Sequence, residues 1–205
     1  PPRSTLDRSS AASDVYKRQI LESPMSTWNE FINYCEGATV SPASIYIYIS
    51  ASSYKPSEGY TYNLEKSPRY YAKNLAIYCY IVHVLRDLAK DAEGSTRLVT
   101  IPDEVLKEAD LTRKTIQNAV VNKSRKIVNL AQILSEKADY YKEKGHEAIE
   151  ELYPVIGNRE ALALKGLIGV YDKLFVVASE KSTDFIVNGP KIEKEIRGHL
   201  LGVKN

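Results

Sequence analysis

The sequence predicts an all-α protein, and three observations support this fold class. Apolar residues recur at helical spacing in most segments after Ile20. Prolines and glycines stand between these segments, where they are typical of turns. The segment with strand-like alternation, IYIYI at residues 45–49, has no second strand to pair with. With 205 residues, of which 43% are hydrophobic, the chain is long enough for one domain with a large core.

Composition narrows the functional classes. A net charge of +2 gives no support for nucleic-acid binding, which usually requires a basic stripe, so no nucleic-acid partner is expected. Cys35 and Cys79 form no C-x-x-C pair and are too few for a disulfide framework, which favours a reducing, cytoplasmic location. No apolar run approaches the roughly 18 residues that a membrane-spanning helix needs.

The first nineteen residues differ from the rest of the chain. They are polar, rich in serine and arginine, and without an apolar period. The run SSAASDVYKRQ resembles a translated sequencing adapter. We therefore expect residues 1–19 to be non-native or disordered, residues 20–205 to be the natural part, and the true N-terminal portion to be missing.

Thr27 and Glu30 predict the start of the first helix. They stand three residues apart in the capping-box pattern, at the head of the amphipathic segment WNEFINYC. Alternation alone would make the following IYIYI segment a strand, but its neighbours are helical and Pro42 fits a first turn. We therefore predict a helix there, followed by a loop over residues 52–68.

Ser67 predicts the cap of a longer helix, with Pro68 in the first turn and an end near Asp91. A second long helix is predicted from Thr112, with a break near Lys123 and Ser124. The remaining expectations are an interruption at Gly145, a turn at Pro154, a buried helix over residues 159–179 and a last, more polar helix over residues 191–201.

The predicted helix from Ser67 carries the most chemistry. Asp87 and Asp91 are four residues apart, so both carboxylates project from one helix face. Arg86, Lys90 and His83 lie close by. This pattern indicates half of a site for a hard divalent ion that carries a phosphorylated substrate. The alternative is an ordinary solvated ion-pair face, because acidic pairs at this spacing are common on helices.

The segment HVLRDLAKDAEGSTRLVTIPDEVLKEADLT resembles the second aspartate-rich motif of squalene and phytoene synthases. Arg86, Asp87 and Asp91 match that motif directly, and Arg97 and Pro102 follow at the expected spacing. Upstream, WNEFINYCEGATVSPASIYIYI is similar to a helix of the same family, including its Tyr-Cys pair. The resemblance covers roughly residues 26–200.

This resemblance implies an isoprenoid-synthase-type helical bundle around a central cavity, here without its N-terminal helices. Asp87 and Asp91 would be catalytic residues and ligands of Mg²⁺, and Tyr34 would be catalytic as a proton acceptor or by facing a cation with its ring. The substrates would be two molecules of farnesyl or geranylgeranyl diphosphate, coupled head to head through a cyclopropyl diphosphate. NADPH would take part only if the product is squalene.

Four further residues are implied to bind substrate: Arg86, His83, Lys90 and Arg97. His83 stands where the family usually has asparagine, and Lys90 where an acidic residue is expected. No D-x-x-x-D motif precedes Tyr34. We therefore expect an inactive fragment of an enzyme. The alternative is a non-catalytic protein of the same fold that binds lipid or a partner subunit.

The other candidate residues have simpler interpretations. His146 and His199 are isolated and are expected to be exposed, without a metal. The basic patch of Lys123, Arg125 and Lys126 is either a solvated face or a peripheral membrane contact through anionic lipid headgroups. The sequence makes no prediction of the oligomeric state.

Overall fold

A computed structural model describes residues 24–62, 64–95 and 99–201 of the chain. The described residues form an all-α fold with one small hairpin, as predicted from the sequence. The α-helices are α1 (Trp28–Cys35), α2 (Ser41–Ser50), α3 (Pro68–Gly94), α4 (Asp103–Glu108), α5 (Ile116–Val121), α6 (Arg125–Leu152), α7 (Asn158–Glu180) and α8 (Ser182–Leu201). A π-helical turn (Glu36–Val40) joins α1 to α2, and a 3-10 turn (Tyr153–Val155) follows α6.

The capping box at the start of α1 is confirmed. The Thr27 hydroxyl oxygen accepts a hydrogen bond from the Glu30 backbone N–H at 3.2 Å. The Glu30 carboxylate in turn accepts from the backbone N–H of Ser26 at 2.8 Å, one residue before the usual position. These bonds satisfy backbone donors that a helix start otherwise leaves unpaired.

The IYIYI segment is helical, as predicted, and Pro42 lies in the first turn of α2. Two residues of this helix, Ser44 and Ile47, are buried, while Ile45 and Ile49 are more than half exposed. The alternation in the sequence therefore does not mark the two faces of a sheet.

The predicted loop over residues 52–68 is wrong in its first part, because it contains a β-hairpin. Strands β1 (Ser52–Lys55) and β2 (Gly59–Tyr62) pair antiparallel, with Ser52 opposite Tyr62. Gly59 has a φ of +75°, which L side chains rarely adopt, and this glycine allows the turn to close. Cross-strand contact between the rings of Tyr54 and Tyr60, whose centroids are 5.1 Å apart, adds to the pairing.

Helix α3 is the centre of the fold and was predicted well. The Ser67 hydroxyl oxygen accepts from the Tyr70 backbone N–H at 3.3 Å, and the helix ends at Gly94, three residues after Asp91. It contacts α1, α2, α5, α6, α7 and α8. Its buried residues include Ile77, Tyr78, Ile81, Val82 and Leu85, all fully enclosed.

The break before α6 is confirmed, since Lys123 has a φ of 48° and Ser124 caps the next helix. The predicted interruption at Gly145 is wrong, because α6 continues to Leu152. Gly145 instead allows close packing: a Cβ atom there would lie 2.7 Å from the backbone nitrogen of Leu75 in α3.

Helices α7 and α8 differ in part from expectation. The turn at Pro154 and the helix over residues 159–179 are confirmed, but α7 is buried on one face only, and Leu162 is 73% exposed. The last helix begins at Ser182, well before the expected residue 191, and Pro190 lies inside it. Within the described part of the chain, no helix combines the length and apolarity that crossing a bilayer requires. The prediction for residues 1–19 stays a prediction, since it lies outside the described residues.

Candidate active site

The C-terminal half of α3 presents a stripe of polar side chains along one face. His83, Asp87 and Asp91 follow at four-residue intervals and are each half-buried. The opposite face carries Leu85 and Leu88, which are fully buried in the core. Burial of the apolar face holds the helix in place and fixes the direction in which the polar stripe points.

Arg86 lies at the centre of this stripe. Its Nε donates to Asp87 Oδ1 at 2.8 Å, and its Nη2 donates to Asp87 Oδ2 at 2.7 Å, which makes a bidentate pair. The same Nη2 lies 2.7 Å from His83 Nδ1. Because a guanidinium can only donate, His83 Nδ1 accepts, and the imidazole proton resides on Nε2, 3.1 Å from Asp87 Oδ2.

A second helix completes the coordination of Arg86. Glu193 of α8 accepts from Arg86 Nη1 at 2.5 Å, and its other oxygen accepts from Arg197 at 2.7 Å. The Arg86 and Glu193 side chains are only 12% and 14% exposed. Such a well-shielded pair, bonded on both sides, is expected to hold its geometry better than a surface ion pair.

The two carboxyl groups have opposite electrostatic environments. Burial alone would raise the pKa of Asp87, but the hydrogen bonds and charge of Arg86 outweigh burial and hold that pKa below its usual range. Burial, and after it the negative charge of Asp87, raise the pKa of Asp91. Burial and the charge of Arg86 lower the pKa of His83, which favours the neutral imidazole.

Aromatic contacts connect Tyr34 to this group. The Tyr80 hydroxyl donates to the Tyr34 hydroxyl at 3.4 Å, a long hydrogen bond, and the two ring centroids are 5.9 Å apart. The Tyr80 ring also stacks on the His83 ring, with centroids 5.8 Å apart and planes inclined by 9°. Burial raises the pKa of Tyr80, so its phenol remains a hydrogen-bond donor. Tyr34 of α1 is therefore connected to Arg86 through two intervening residues, Tyr80 and His83.

The pair Asp87 and Asp91 fits half of a magnesium site. Mg²⁺ usually takes one or two protein carboxylates and completes its shell with water and phosphate oxygens. Asp91 forms no side-chain hydrogen bond or ion pair with any residue the structure describes. Asp87 uses one lone pair of Oδ1 toward Arg86 and retains another. Over the described ranges, no three His, Cys, Asp or Glu side chains gather in a group that could hold a metal alone.

Two predicted substrate-binding residues stand apart from this network. Lys90 is exposed on α3, and its charge acts on Asp87, Asp91 and His83, although it forms no hydrogen bond to these three residues. Arg97 lies in residues 96–98, outside the described residues. The structure thus brings Tyr34, His83, Arg86 and Asp87 into one connected group.

Sequence reasoning missed Glu193 and Arg197. They stand four residues apart, a spacing at which opposite charges interact on a helix, but so do many exposed pairs. Glu193 is 107 residues from Arg86, and only the path of α8 brings them together. The contacts of Tyr80 to Tyr34 and His83 were not predicted either.

Comparison with known proteins assigns the chain to a family. No curated protein and no solved structure matches it. The family model described as squalene/phytoene synthase matches residues 9–174, which is most of the chain and includes α1, α3 and the polar stripe. The match ends before α8 and Glu193. Squalene and phytoene synthases join two prenyl diphosphates head to head. The chain therefore belongs to the squalene/phytoene synthase family.

Proposed function

We propose that this chain forms one wall of a prenyltransferase that couples two prenyl diphosphates head to head through a cyclopropyl diphosphate. The observation that carries the proposal is the connected group of Tyr34, His83, Arg86 and Asp87, with the open carboxylate of Asp91 one turn further along α3. Tyr34, Arg86, Asp87 and Asp91 are residues at which the sequence matches the family, whereas His83 replaces the usual asparagine, and the proximity of all five supports a shared site.

Asp91 and Oδ1 of Asp87 would hold Mg²⁺, which neutralises the charge of the departing diphosphate when it is bound. Lowering of the Asp87 pKa by Arg86 keeps that carboxylate ionised and able to act as a ligand. Arg86 is already bonded to Asp87, Glu193 and His83. We therefore assign Arg86 to positioning Asp87, and we propose that Lys90 and Arg97 bind the diphosphate, Arg97 on the family resemblance alone.

Tyr34 is proposed to act on the hydrocarbon part of the reaction. Its hydroxyl accepts from Tyr80, so the phenol is oriented, and its ring can stabilise a carbocation by its negative face. His83 is proposed to contact substrate through its exposed edge, since its side chain is 41% exposed. The apolar residues packed behind α3 would exclude water from the cation.

The proposed substrate is either farnesyl or geranylgeranyl diphosphate, and the proposed product is either squalene or phytoene. Farnesyl and geranylgeranyl diphosphate have the same headgroup, so the residues around Asp87 recognise both. NADPH would be needed only for squalene, because that product requires a reduction. The basic patch of Lys123, Arg125 and Lys126 would allow peripheral contact with an anionic membrane.

The test uses the gene product with the sequence that precedes Ile20 in its gene. We expect release of diphosphate from farnesyl or geranylgeranyl diphosphate only when Mg²⁺ is present, with a C30 or C40 product identified by mass spectrometry. Asp87→Ala should abolish turnover, by roughly a thousandfold or more, while the circular dichroism spectrum stays helical. Glu108→Ala, which removes an exposed carboxylate of α4, is the matched control and should retain activity.

A second candidate is a non-catalytic member of the family that binds lipid or a partner subunit. The observation in its favour is that both oxygens of Asp87 already accept from Arg86, with Lys90 at the position of an acidic residue. If the complete protein binds neither substrate nor Mg²⁺ and releases no diphosphate, this second function replaces the first.

A further inference from the structure

A shallow cavity of about 600 Å³, widely open to solvent, lies where α6, α7 and α8 meet, away from the candidate active site. None of the candidate active-site residues lines it. Its floor is apolar and is formed by Val176 and Val177 of α7 and Ile196 of α8. Its lining is mostly apolar with a few polar groups, as in small-molecule sites.

The acidic residue at this cavity is already bonded within the protein. The buried Tyr78 hydroxyl donates to Asp172 Oδ1 at 2.9 Å, and His146 Nε2 lies 3.2 Å from the same oxygen. Burial raises the pKa of Tyr78 strongly, so its phenol remains a donor. His146 was expected to be exposed, but the structure places it half-buried against Asp172. Tyr78 and His146 therefore hold the Asp172 side chain in place, and Asp172 keeps its negative charge.

Two lysines at the mouth of the cavity have no such partner. Neither Lys142 of α6 nor Lys173 of α7 forms an ion pair with any residue in the described ranges. The Lys142 Nζ lies 4.9 Å from the centroid of the Phe175 ring. Two positive charges thus border an apolar surface that carries one carboxylate, Asp172.

We propose that this cavity binds a single-chain amphiphile with a phosphate head. The phosphate contacts Lys142 and Lys173, because ammonium groups bind phosphate as point charges. The hydrocarbon chain covers Val176, Val177 and Ile196 and removes their exposed apolar surface from water. Asp172 contributes one negative charge to the lining, which the two positive charges of Lys142 and Lys173 outnumber. This site is independent of the proposed prenyl transfer.

Dodecyl phosphate, below its micelle concentration, is the probe for titration calorimetry with the 205-residue chain. We expect one site per chain, with binding that weakens as salt is added. Inorganic phosphate lacks the hydrocarbon chain and dodecanol lacks the phosphate, so each should bind at least about tenfold more weakly than dodecyl phosphate. If inorganic phosphate binds as tightly as dodecyl phosphate, the lysines attract an adventitious ion only and the proposal fails.

The double variant Lys142→Gln/Lys173→Gln should raise the dissociation constant about tenfold or more, as expected when two charged contacts are lost. The matched control is Lys144→Gln/Lys165→Gln, which removes the same charge from the same two helices outside the cavity lining. Lys144 pairs with Glu147, and Lys165 lies over the Tyr153 ring. Equal weakening by this control would show a long-range charge effect and overturn the site.

A third variant tests the apolar floor. Val176 is 48% exposed, so Val176→Ser should fold normally while it weakens dodecyl phosphate and leaves inorganic phosphate unchanged. Circular dichroism checks the fold of every variant. Binding to anionic phosphatidylglycerol vesicles without binding of dodecyl phosphate would overturn the proposal in favour of a membrane surface.

Discussion

The two halves of α3 each touch a glycine of another helix. In the N-terminal half, Gly145 of α6 lies against the backbone of Leu75, and an added Cβ would be 2.7 Å from the Leu75 nitrogen. In the C-terminal half, Gly189 of α8 lies against Arg86, and an added Cβ would be 2.5 Å from the Arg86 carbonyl oxygen. Both glycines permit helix axes to approach more closely than side chains would allow.

The residues around these two helix crossings, at Gly145 and at Gly189, differ in character. Near Leu75 the neighbouring residues of both helices, such as Ala76 and Ile149, are buried and apolar. Near Arg86 the crossing places Glu193, one turn after Gly189, within hydrogen-bonding distance of the guanidinium. The same close approach therefore serves the core in one half and assembles an ion network in the other. Substitutions at the two crossings should separate stability from site geometry.

The largest expected loss of stability comes from Gly145→Ala. The new Cβ meets backbone atoms of Leu75, which cannot rotate away, so the two helices must shift. Overpacking against backbone atoms costs about 3 kcal/mol, and the higher helix propensity of alanine returns about 1 kcal/mol. We expect a net decrease of about 2 kcal/mol in the free energy of unfolding, measured by urea denaturation.

Gly169→Ala in α7 is the matched control for this substitution. A Cβ at Gly169 meets no atom within 4 Å, so only helix propensity changes. The control should raise the free energy of unfolding by about 0.5–1 kcal/mol. If Gly145→Ala stabilises the chain to the same extent, the α3–α6 approach is looser than the structure shows.

Gly189→Ala is expected to lower stability less, by about 1–2 kcal/mol, because α8 packs against α3 with a less buried surface and can move outward. That movement would carry Glu193 away from Arg86. We therefore expect Gly189→Ala, unlike Gly145→Ala, to weaken Mg²⁺-dependent substrate binding in the complete enzyme, measured as an increase in KM. Equal effects of both variants on KM would contradict a separate role for the second crossing.

Local patterns in the sequence predicted much of the fold. Two helix starts were predicted from their caps, Thr27 with Glu30 and Ser67 with Pro68, because a cap depends only on residues within one turn. The IYIYI segment could not be assigned from its local alternation, which is typical of a strand; its helical neighbours and the absence of a partner strand in the sequence predicted the helix. The hairpin was missed because its pairing depends on the conformation of Gly59 and on ring contacts across the strands.

The candidate site was predicted in part, for a physical reason. His83, Arg86, Asp87 and Asp91 lie on one helix, so their spacing alone places them near one another. The same spacing does not reveal that Arg86 is held by Glu193, because that contact depends on how α8 crosses α3. Gly145 illustrates the same limit: a glycine in a helix indicates an interruption or a close approach, and only the packing distinguishes them.

Glu193→Gln tests the ion network without disturbing the helix crossing. Glutamine has nearly the shape of glutamate and can still accept a hydrogen bond from Arg86, but it lacks the charge that balances Arg86 and Arg197. Because both side chains are largely shielded and Arg86 keeps its bidentate bond to Asp87, we expect a loss of about 1 kcal/mol in the free energy of unfolding.

If Glu193 has only a structural role, the Glu193→Gln substitution changes stability alone. A positioning role predicts in addition that kcat for diphosphate release falls even at a temperature where the Glu193→Gln variant is fully folded. It also predicts that Glu193→Asp, which keeps the charge, has a higher kcat than Glu193→Gln. Unchanged kcat in folded Glu193→Gln would show that Asp87 is positioned by Arg86 without help from α8.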